Sequence, residues 1–439
     1  MTMDIWAASG YWQDILDAIN QAQPGDNVRI PTGTFDFIDV GESWTGARFV
    51  TPAGVNLFGA PTERTSGLPY DGVGQNPNNQ VIVWKTVLTI PWDVPNVAGQ
   101  QPEWFRLVGN SDPNKPSRIS DVKLVGYRSI NPESVNGQTG IRVENVVDFR
   151  VDHVCLEHTC AQGIGVWGLK SRGVIDHNRI YNIYGYDDLA NYMNSTVGYG
   201  ISPSRDWSST GYDPTMEVLG KYKDYTVFIE DNYFSKWRHI VSSGHGAHYV
   251  FRYNTIDLDW GHFSLDAHGL RDTGVNRWGA RATEIYENKL INAGPDWDFR
   301  SLLQNGGGSG VWFNNYVDTS YRSNGIALYP EDYVASEIWH LKDFYLWSKR
   351  GPWVSSWDGV PSGFTPGRNV LADWDRPAYD RTNLLYPNVD PAWSIAGYKP
   401  YPYPHPLAID FINPRRISGI VRDVQTNQPL EGARIEANG

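Results

Sequence analysis

The chain has few cysteines and few methionines, and it lacks any long run of apolar residues. Its 439 residues include 2 Cys and 4 Met. A membrane-spanning helix is excluded because no stretch of about 18 consecutive apolar residues occurs. Both cysteines, Cys155 and Cys160, lie in one short segment with His153 and His158. Adjacent strand residues point to opposite faces, so this segment favours a local disulfide or two buried thiols over a zinc site.

Basic residues are outnumbered by acidic ones. The 37 Lys and Arg stand against 49 Asp and Glu, which gives a net charge of −12 and an isoelectric point near 5.3. A general nucleic-acid binder needs a basic face to neutralise phosphates, so we expect no nucleic-acid partner. The start of the chain, Met1-Thr2-Met3-Asp4, lacks the basic and apolar regions of a signal peptide.

What the chain does contain is a repeated Asn-x-apolar motif between Gly163 and Glu331, with the closest repeats 22 residues apart and the others 27, 34 and 54 apart. A short period with variable insertions is typical of a solenoid. We predict an all-β fold, a right-handed parallel β-helix in which the asparagines form an internal ladder at a turn. The alternative is an antiparallel β-sandwich with accidental Asn spacing. The motifs begin at Asn178, Asn232, Asn254, Asn288 and Asn315, and the strand-like runs are 163–166, 200–203, 239–242, 262–265, 299–302 and 325–328.

The N-terminal segment gives an independent indication of the same fold. Apolar residues recur at helical spacing between Tyr11 and Ala22, and Pro24-Gly25-Asp26 ends the pattern. We expect an N-terminal helix that caps the open end of the solenoid. The arrangement Ala-Ile-x-x-Ala-x-Pro-Gly-Asp-x-Val-x-Ile-Pro-x-Gly-Thr-Phe, from Ala18 to Phe35, resembles the first coil of pectate-lyase-like β-helix proteins. That superfamily includes lyases, hydrolases, esterases, epimerases and tailspikes, so the resemblance implies the fold and not one reaction.

The predicted domain organisation is one β-helix domain over residues 1–416, followed by the start of another module. Within it we expect a cap at about 1–27, an insertion at about 186–226 and a C-terminal cap and tail at about 331–416. Residues 417–439 resemble the opening strands of the carboxypeptidase regulatory-like, transthyretin-like β-sandwich, which needs roughly 70 to 100 residues. The sequence therefore favours a larger modular protein with further modules in the same chain, located extracellularly or at the cell surface.

Histidines and acids coincide when the six strand-like runs are aligned on their first residues. The position six residues after the first holds Asp206, His245, His268 and Glu331, and the first position holds His239 and His262. If Ile240, Ser242, Phe263 and Leu265 point inward, alternation turns Ser243 and Asp266 outward with the two first-position histidines. Neighbouring coils lie about 4.8 Å apart, so side chains of one column can touch. We predict a catalytic cluster that consists of Arg205, Asp206, His239, His245, His262, Asp266 and His268.

The residue types of this cluster suit acid–base chemistry on an acidic polysaccharide. Imidazoles titrate near neutral pH, and a neighbouring Asp can orient one as a general base. Arginines are dense between residues 200 and 300, and guanidinium groups pair with carboxylates and sulfates. In a lyase that acts on uronic acids by β-elimination, an Arg or a bound Ca²⁺ would neutralise the sugar carboxylate; no other cofactor is indicated. Predicted substrate-binding residues are Arg238, Arg252, Arg271, Tyr249, Tyr253, Asp187, Asp188, Trp207 and Trp260, with the two tyrosines also candidates for the general acid.

Two other functions remain open from the sequence. Inverting glycoside hydrolysis needs paired carboxylates about 6.5–9.5 Å apart. Asp187-Asp188 followed by Gly244-His245-Gly246 is loosely similar to motifs of polygalacturonases, but no Arg-x-Lys follows and the only upstream Asn-x-Asp is distant. The other function is a non-catalytic carbohydrate-binding adhesin or a structural surface protein. The histidines would then have no role in chemistry.

Overall fold

A computed structural model describes most of the region from Thr2 to Val317 and several later segments. The described residues are 2–37, 47–64, 82–90, 103–110, 115–126, 139–159, 161–182, 198–205, 219–222, 225–257, 263–268, 279–291, 301–317, 326–328, 344–347, 370–373 and 398–409. Residues 417–439, predicted to open a second module, lie outside them. Within these ranges no helix is both long and apolar enough to cross a lipid bilayer.

Parallel strands from successive coils stack into three ladders, which we call sheets 1, 2 and 3. Sheet 1 contains Asp4–Trp6, Asn27–Arg29, Asn56–Phe58, Arg118–Ser120, Arg172–Asp176, Thr226–Glu230, His248–Arg252, Ala282–Tyr286, Ser309–Phe313, Phe344–Trp347 and Val370–Asp373. Sheet 2 contains Gly33–Asp36, Thr86–Thr89, Lys123–Val125, Cys155–Glu157, Arg179–Tyr181, Tyr233–Ser235, Thr255–Asp257, Lys289–Ile291 and Tyr316–Val317. Sheet 3 contains Ala47–Thr51, Glu103–Asn110, Gln162–Trp167, Tyr199–Ser204, His239–Ser243, Phe263–Ala267, Ser301–Asn305 and Ile326–Leu328.

The long strand Thr139–Asp152 belongs to two sheets, because its first half pairs within sheet 3 and its second half within sheet 1. A short antiparallel pair joins Glu63–Arg64 to Ile82–Val83, and the helices within the described ranges are Trp12–Gln21 and the 3₁₀ turn Pro406–Ala408. Each coil thus passes from sheet 3 to sheet 1 to sheet 2 before the next coil begins. The prediction of an all-β parallel β-helix is confirmed, and with it the fold that the resemblance implies.

The asparagine ladder forms at the turn between sheets 1 and 2, as the spacing predicts. The Nδ2 group of each Asn donates to Oδ1 of the Asn in the next coil, over 3.0, 3.0, 3.1 and 2.8 Å from Asn178 to Asn315. The residue before each of these five asparagines is left-handed, for example Asp231 with φ 57° and Glu287 with φ 57°. The side chains satisfy backbone groups that the turn would otherwise leave without partners inside the protein.

The N-terminal helix covers the first coil, as predicted. Ile15, Ala18 and Ile19 are buried in the same apolar core as Val28 and Ile30 of the following segment. After the helix, the Asp26 carboxylate accepts hydrogen bonds from the backbone N–H groups of Met3 and Gln23, both at 3.0 Å. These bonds hold the pKa of Asp26 below its usual value. The resemblance motif therefore encodes a helix, a carboxylate-stabilised turn and the first core strand.

The C-terminal segment 398–409 lies against the outer face of sheet 1, and it covers a row of buried ion pairs. Arg252 pairs with Glu230 at 2.6 Å and donates to the carbonyl of Pro402 at 3.0 Å. Glu284 accepts from the hydroxyls of Tyr222 at 2.9 Å and Tyr398 at 2.7 Å. Strands Phe344–Trp347 and Val370–Asp373 continue sheet 1 inside the region predicted as cap and tail. Sheet 1 is thus covered on its outer side along several coils.

Candidate active site

The predicted cluster centres, in the structure, on the Asp266 carboxylate of sheet 3. Oδ2 of Asp266 lies 3.0 Å from Nε2 of His268 and 3.7 Å from Nδ1 of His239. The side chain of Asp266 is 1% exposed and that of His268 is 19% exposed. A carboxylate removed from water in this way needs positive or hydrogen-bonding neighbours, and the two imidazoles are the ionisable groups that contact it at these distances. His268 is the member of the group that reaches solvent.

The strand register explains why these residues meet. His239 lies opposite Tyr199 in one neighbouring coil and Phe263 in the other, and Ser242 lies opposite Asp266. The ring centroids of Tyr199 and His239 are 5.5 Å apart. Ser242 Oγ lies 3.5 Å from His268 Nε2, so this serine belongs to the site although the sequence interpretation turned it inward. Its pairing with Asp266 in register is the signal that identifies it.

Two corrections to the predicted columns follow from this register. Because Ser243 pairs with Ala267, His268 is level with Gly244, and His245 is one position out of its column. His245 instead lies in the turn after the strand, left-handed with φ 49° and buried. In the first column, Phe263 takes the place assigned to His262.

Ser243 and Tyr249 also differ from their predicted positions. Tyr249 is fully buried in the apolar core, and its phenol lies next to the Ser243 side chain. Burial raises the pKa of Tyr249 well above its usual value, and the nearby Asp266 charge raises it further. Ser243 therefore faces the interior, and Tyr249 cannot reach a polysaccharide as a general acid. Its position beneath Asp266 makes it part of the support of the site.

Arg252 and Tyr253 lie under the C-terminal segment and not in the cluster. The guanidinium of Arg252 is fully buried, bound to the Glu230 carboxylate and to the carbonyls of Tyr401 and Pro402. The ring of Tyr253 stacks on that of Tyr403 with centroids 3.7 Å apart. The prediction that Arg252 contacts substrate is wrong in this structure, because all three guanidinium nitrogens already donate hydrogen bonds to protein oxygens. Tyr253 is likewise committed to packing.

The remaining predicted residues fall into two groups. Arg205 and Arg238 are half-buried at the ends of sheet-3 segments, and the Arg205 guanidinium stands 4.3 Å above the Tyr225 ring centroid. The second group lies outside the described part of the chain: Asp187, Asp188, Asp206, Trp207, Trp260, His262 and Arg271.

Among the described residues, no group of three or more His, Cys, Asp or Glu side chains could hold a metal ion.

The arrangement can move a proton. A carboxylate close to one ring nitrogen of an imidazole favours the proton on that nitrogen and leaves the other nitrogen to act as a base. Here Nε2 of His268 lies 3.0 Å from Oδ2 of Asp266 and 3.5 Å from Ser242 Oγ, so Nδ1 is the nitrogen through which His268 would exchange a proton with a ligand. His239 is almost completely buried, and its Nδ1 lies 3.7 Å from Oδ2 of the same carboxylate.

Comparisons with known proteins give similar solved structures only: no family model matches the chain, and neither does any curated protein. The chain is similar to an alginate lyase from Paenibacillus sp. str. FPU-7, with TM-score 0.39 and 12% identity over 74% of this chain and 98% of that one. It is also similar to a family 28 exopolygalacturonase of Yersinia enterocolitica, with TM-score 0.43 and 12% identity over 85% of this chain and 68% of that one. A third similar structure is the DFA-IIIase of Arthrobacter chlorophenolicus A6 in complex with DFA-III, with TM-score 0.39 and 13% identity over 82% of this chain and 86% of that one. Similarity of fold at such identities does not define an activity.

Proposed function

We propose that the chain is a polysaccharide-degrading enzyme, a lyase that cleaves a uronic-acid-containing polysaccharide by β-elimination. The observation that carries this proposal is the buried Asp266 carboxylate in contact with His268 and His239 on sheet 3. Strongly buried ionisable groups with a specific charge partner concentrate at functional sites. The proposal implies an extracellular or cell-surface location.

His268 is the candidate general base. In β-elimination the base removes the proton at C5, the C–H electrons form the C4–C5 double bond, and the C4–O bond breaks. The leaving oxygen takes a proton, which the imidazolium of His268 or water can supply. Asp266 would stabilise the imidazolium while it carries that proton. The C5 proton becomes acidic enough only when the sugar carboxylate is neutralised; Arg205, Arg238 or a bound Ca²⁺ would provide that charge.

The proposal is tested with a matched pair of histidine variants. His153 contacts Asp152 at 2.7 Å and its side chain is 22% exposed, so it is an Asp-paired histidine much like His268 but placed at the turn between sheets 1 and 2. We expect His268→Asn to lower kcat/KM at least 100-fold on an acidic polysaccharide, and His153→Asn to leave it within about 2-fold. The readouts are ultraviolet absorbance of unsaturated uronides and new reducing ends, with melting curves to show that both variants fold.

The two readouts separate the alternatives. Absorbance together with reducing ends establishes a lyase. Reducing ends without absorbance would overturn β-elimination in favour of hydrolysis. The candidate catalytic carboxylates would then be Asp187, Asp188, Asp206 and Asp266. Ligand binding with no product across neutral and acidic polysaccharides would favour a non-catalytic carbohydrate-binding protein. Equal activity of His268→Asn and wild type would remove His268 from the mechanism.

A further inference from the structure

Trp167 lies at the end of a strand of sheet 3, in the same row of residues as His268. Trp167 pairs with Ser204, Ser204 forms a bridge with Gly244, and Gly244 is level with His268. At about 4.8 Å per coil, the three coils between the two side chains correspond to roughly 14 Å. Only a serine and a glycine stand between them in this row, so no large side chain of the row separates Trp167 from the candidate base.

The indole of Trp167 is half-buried, and groups of the protein fix its orientation. The Arg142 guanidinium, which belongs to the neighbouring coil, lies 4.2 Å from the centroid of the indole ring. Glu103 accepts a hydrogen bond of 2.7 Å from Nη1 of Arg142 and thereby holds the guanidinium in place. Gly165 lets the ring edge lie close to the strand, because a Cβ there would come within 3.1 Å of Nε1 of Trp167 and 2.7 Å of Oε1 of Gln162. The ring is therefore positioned before any ligand binds.

A single exposed aromatic residue needs no special explanation on a protein surface. The side chains of Trp104, Trp237 and Trp312 are buried in the core, and Trp6 is 65% exposed on the first strand of sheet 1. Trp167 combines a fixed ring, partial exposure and a place in the row of the candidate base. This combination is the one expected of an aromatic residue that binds a substrate.

We propose that Trp167 is a sugar-stacking subsite of the candidate active site, where it binds the apolar face of a polysaccharide unit about three units away from the cleaved bond. The C–H groups of a pyranose ring pack on the face of an indole, and a ring that is already fixed loses little conformational freedom on binding. A sugar unit of an extended chain is about as long as the spacing between coils, so the polysaccharide would cross successive strands of sheet 3. Arg142 is a positioning residue, since its guanidinium orients the indole. The cleavage itself rests on the proposed function, whereas the binding of sugar by Trp167 does not.

The subsite is tested with the acidic polysaccharide that the wild type degrades fastest, and with its trimer and hexamer. We expect Trp167→Ala to raise KM for the polymer and the hexamer roughly 5- to 30-fold, because the apolar contact area of one sugar face is lost. The kcat values and the KM for the trimer, which is too short to span the distance, should stay within about 2-fold of the wild type. Trp167→Phe should keep most of the affinity, since an aromatic face remains. The control is Trp6→Ala, which should match the wild type on every substrate, and melting curves show that each variant folds.

Two kinetic results would overturn the proposal. An equal rise of KM for trimer and hexamer would show that Trp167 acts through the fold and not on a distant sugar unit, and an unchanged KM for the hexamer would remove Trp167 from substrate binding. Retardation in native gels that contain polygalacturonate, alginate or a neutral glucan measures binding without catalysis. Retardation that requires Trp167, in a protein that degrades no polysaccharide, would support the subsite and reject the proposed function. A wild type that neither degrades nor is retarded by any of them would reject both.

Discussion

Substitution of Asn254 tests how much the asparagine ladder contributes to stability. The Asn254 side chain is fully buried and makes four hydrogen bonds. Its Nδ2 donates to the carbonyl of Ile229 at 2.9 Å and to Oδ1 of Asn288 at 3.1 Å. Its Oδ1 accepts from the backbone N–H and the Nδ2 of Asn232, both at 3.0 Å. Asn254→Ala removes all four at once.

The size of the effect follows from the groups that lose their partners. The backbone N–H of Asn232 and the carbonyl of Ile229 are inside the protein, and each buried polar group without a partner costs about 1–3 kcal/mol. We therefore expect Asn254→Ala to lower the free energy of unfolding by about 3–5 kcal/mol, at the upper end for single substitutions. Asn254→Asp should cost at least as much, because a carboxylate oxygen would face the Ile229 carbonyl and Oδ1 of Asn288.

The assay is urea denaturation followed by circular dichroism, with Asn27→Ala as the control. Asn27 also bonds an asparagine of the next coil, Asn56, at 3.1 Å, but it lies at the partly exposed N-terminal end. We expect its loss to cost less than about 1 kcal/mol. If Asn254→Ala costs no more than this control, the ladder does not hold the coils together and the reasoning is refuted.

Three further predictions concern charge and packing. Burial raises the pKa of Asp231 to about 7, so the folded chain binds more protons than the unfolded one between about pH 4 and 7. As the pH rises through that window, the wild type should lose on the order of 1–3 kcal/mol of unfolding free energy relative to Asp231→Asn. Urea curves recorded over a pH series measure this difference, and a difference that does not change with pH would contradict the prediction. Glu230→Gln should cost about 3–5 kcal/mol because it leaves Arg252 buried without its carboxylate, and the double change of both residues to Met should cost less in the same assay. Gly163→Ala would place a Cβ 2.5 Å from the carbonyl oxygen of Gly200, so we expect a lower Tm and, since Tyr199–Ser204 adjoins the site strand, weaker activity.

The fold could be predicted because its strongest determinants are local in sequence. The Asn-x-apolar motif carries both the turn residue and the next strand, and the segment from Ala18 to Phe35 carries the cap and first coil. Neither depends on the length of the insertion between two coils. The ladder from Asn178 to Asn315 accordingly formed with the predicted partners.

The register of sheet 3 could not be predicted, because strict alternation fails at its corner. Ile240 and Val241 are consecutive and both lie in the apolar core. His239 before them and Ser242 after them therefore share the outer face with Asp266, whereas alternation from Ile240 turns Ser242 inward. His245 was placed one position out because the runs were aligned on His239 and His262, whereas His239 pairs with Phe263. The partners of Arg252 were also hidden from sequence, since Tyr401 and Pro402 lie about 150 residues later in the chain.

The geometry of the candidate site thus depends on the stacking of coils and not on the insertions between them. His239 and Asp266 approach because their strands are neighbours in sheet 3 and the corner turns both side chains to one side. A shift of one residue between the two strands would place Asp266 opposite a different residue and separate it from His239 and Ser242. The asparagine ladder fixes the position of each coil at the opposite turn, so it indirectly fixes this register. Stability of the ladder and placement of the proton-transfer pair are therefore linked: a variant that loosens Asn254 should lower activity before it unfolds the chain.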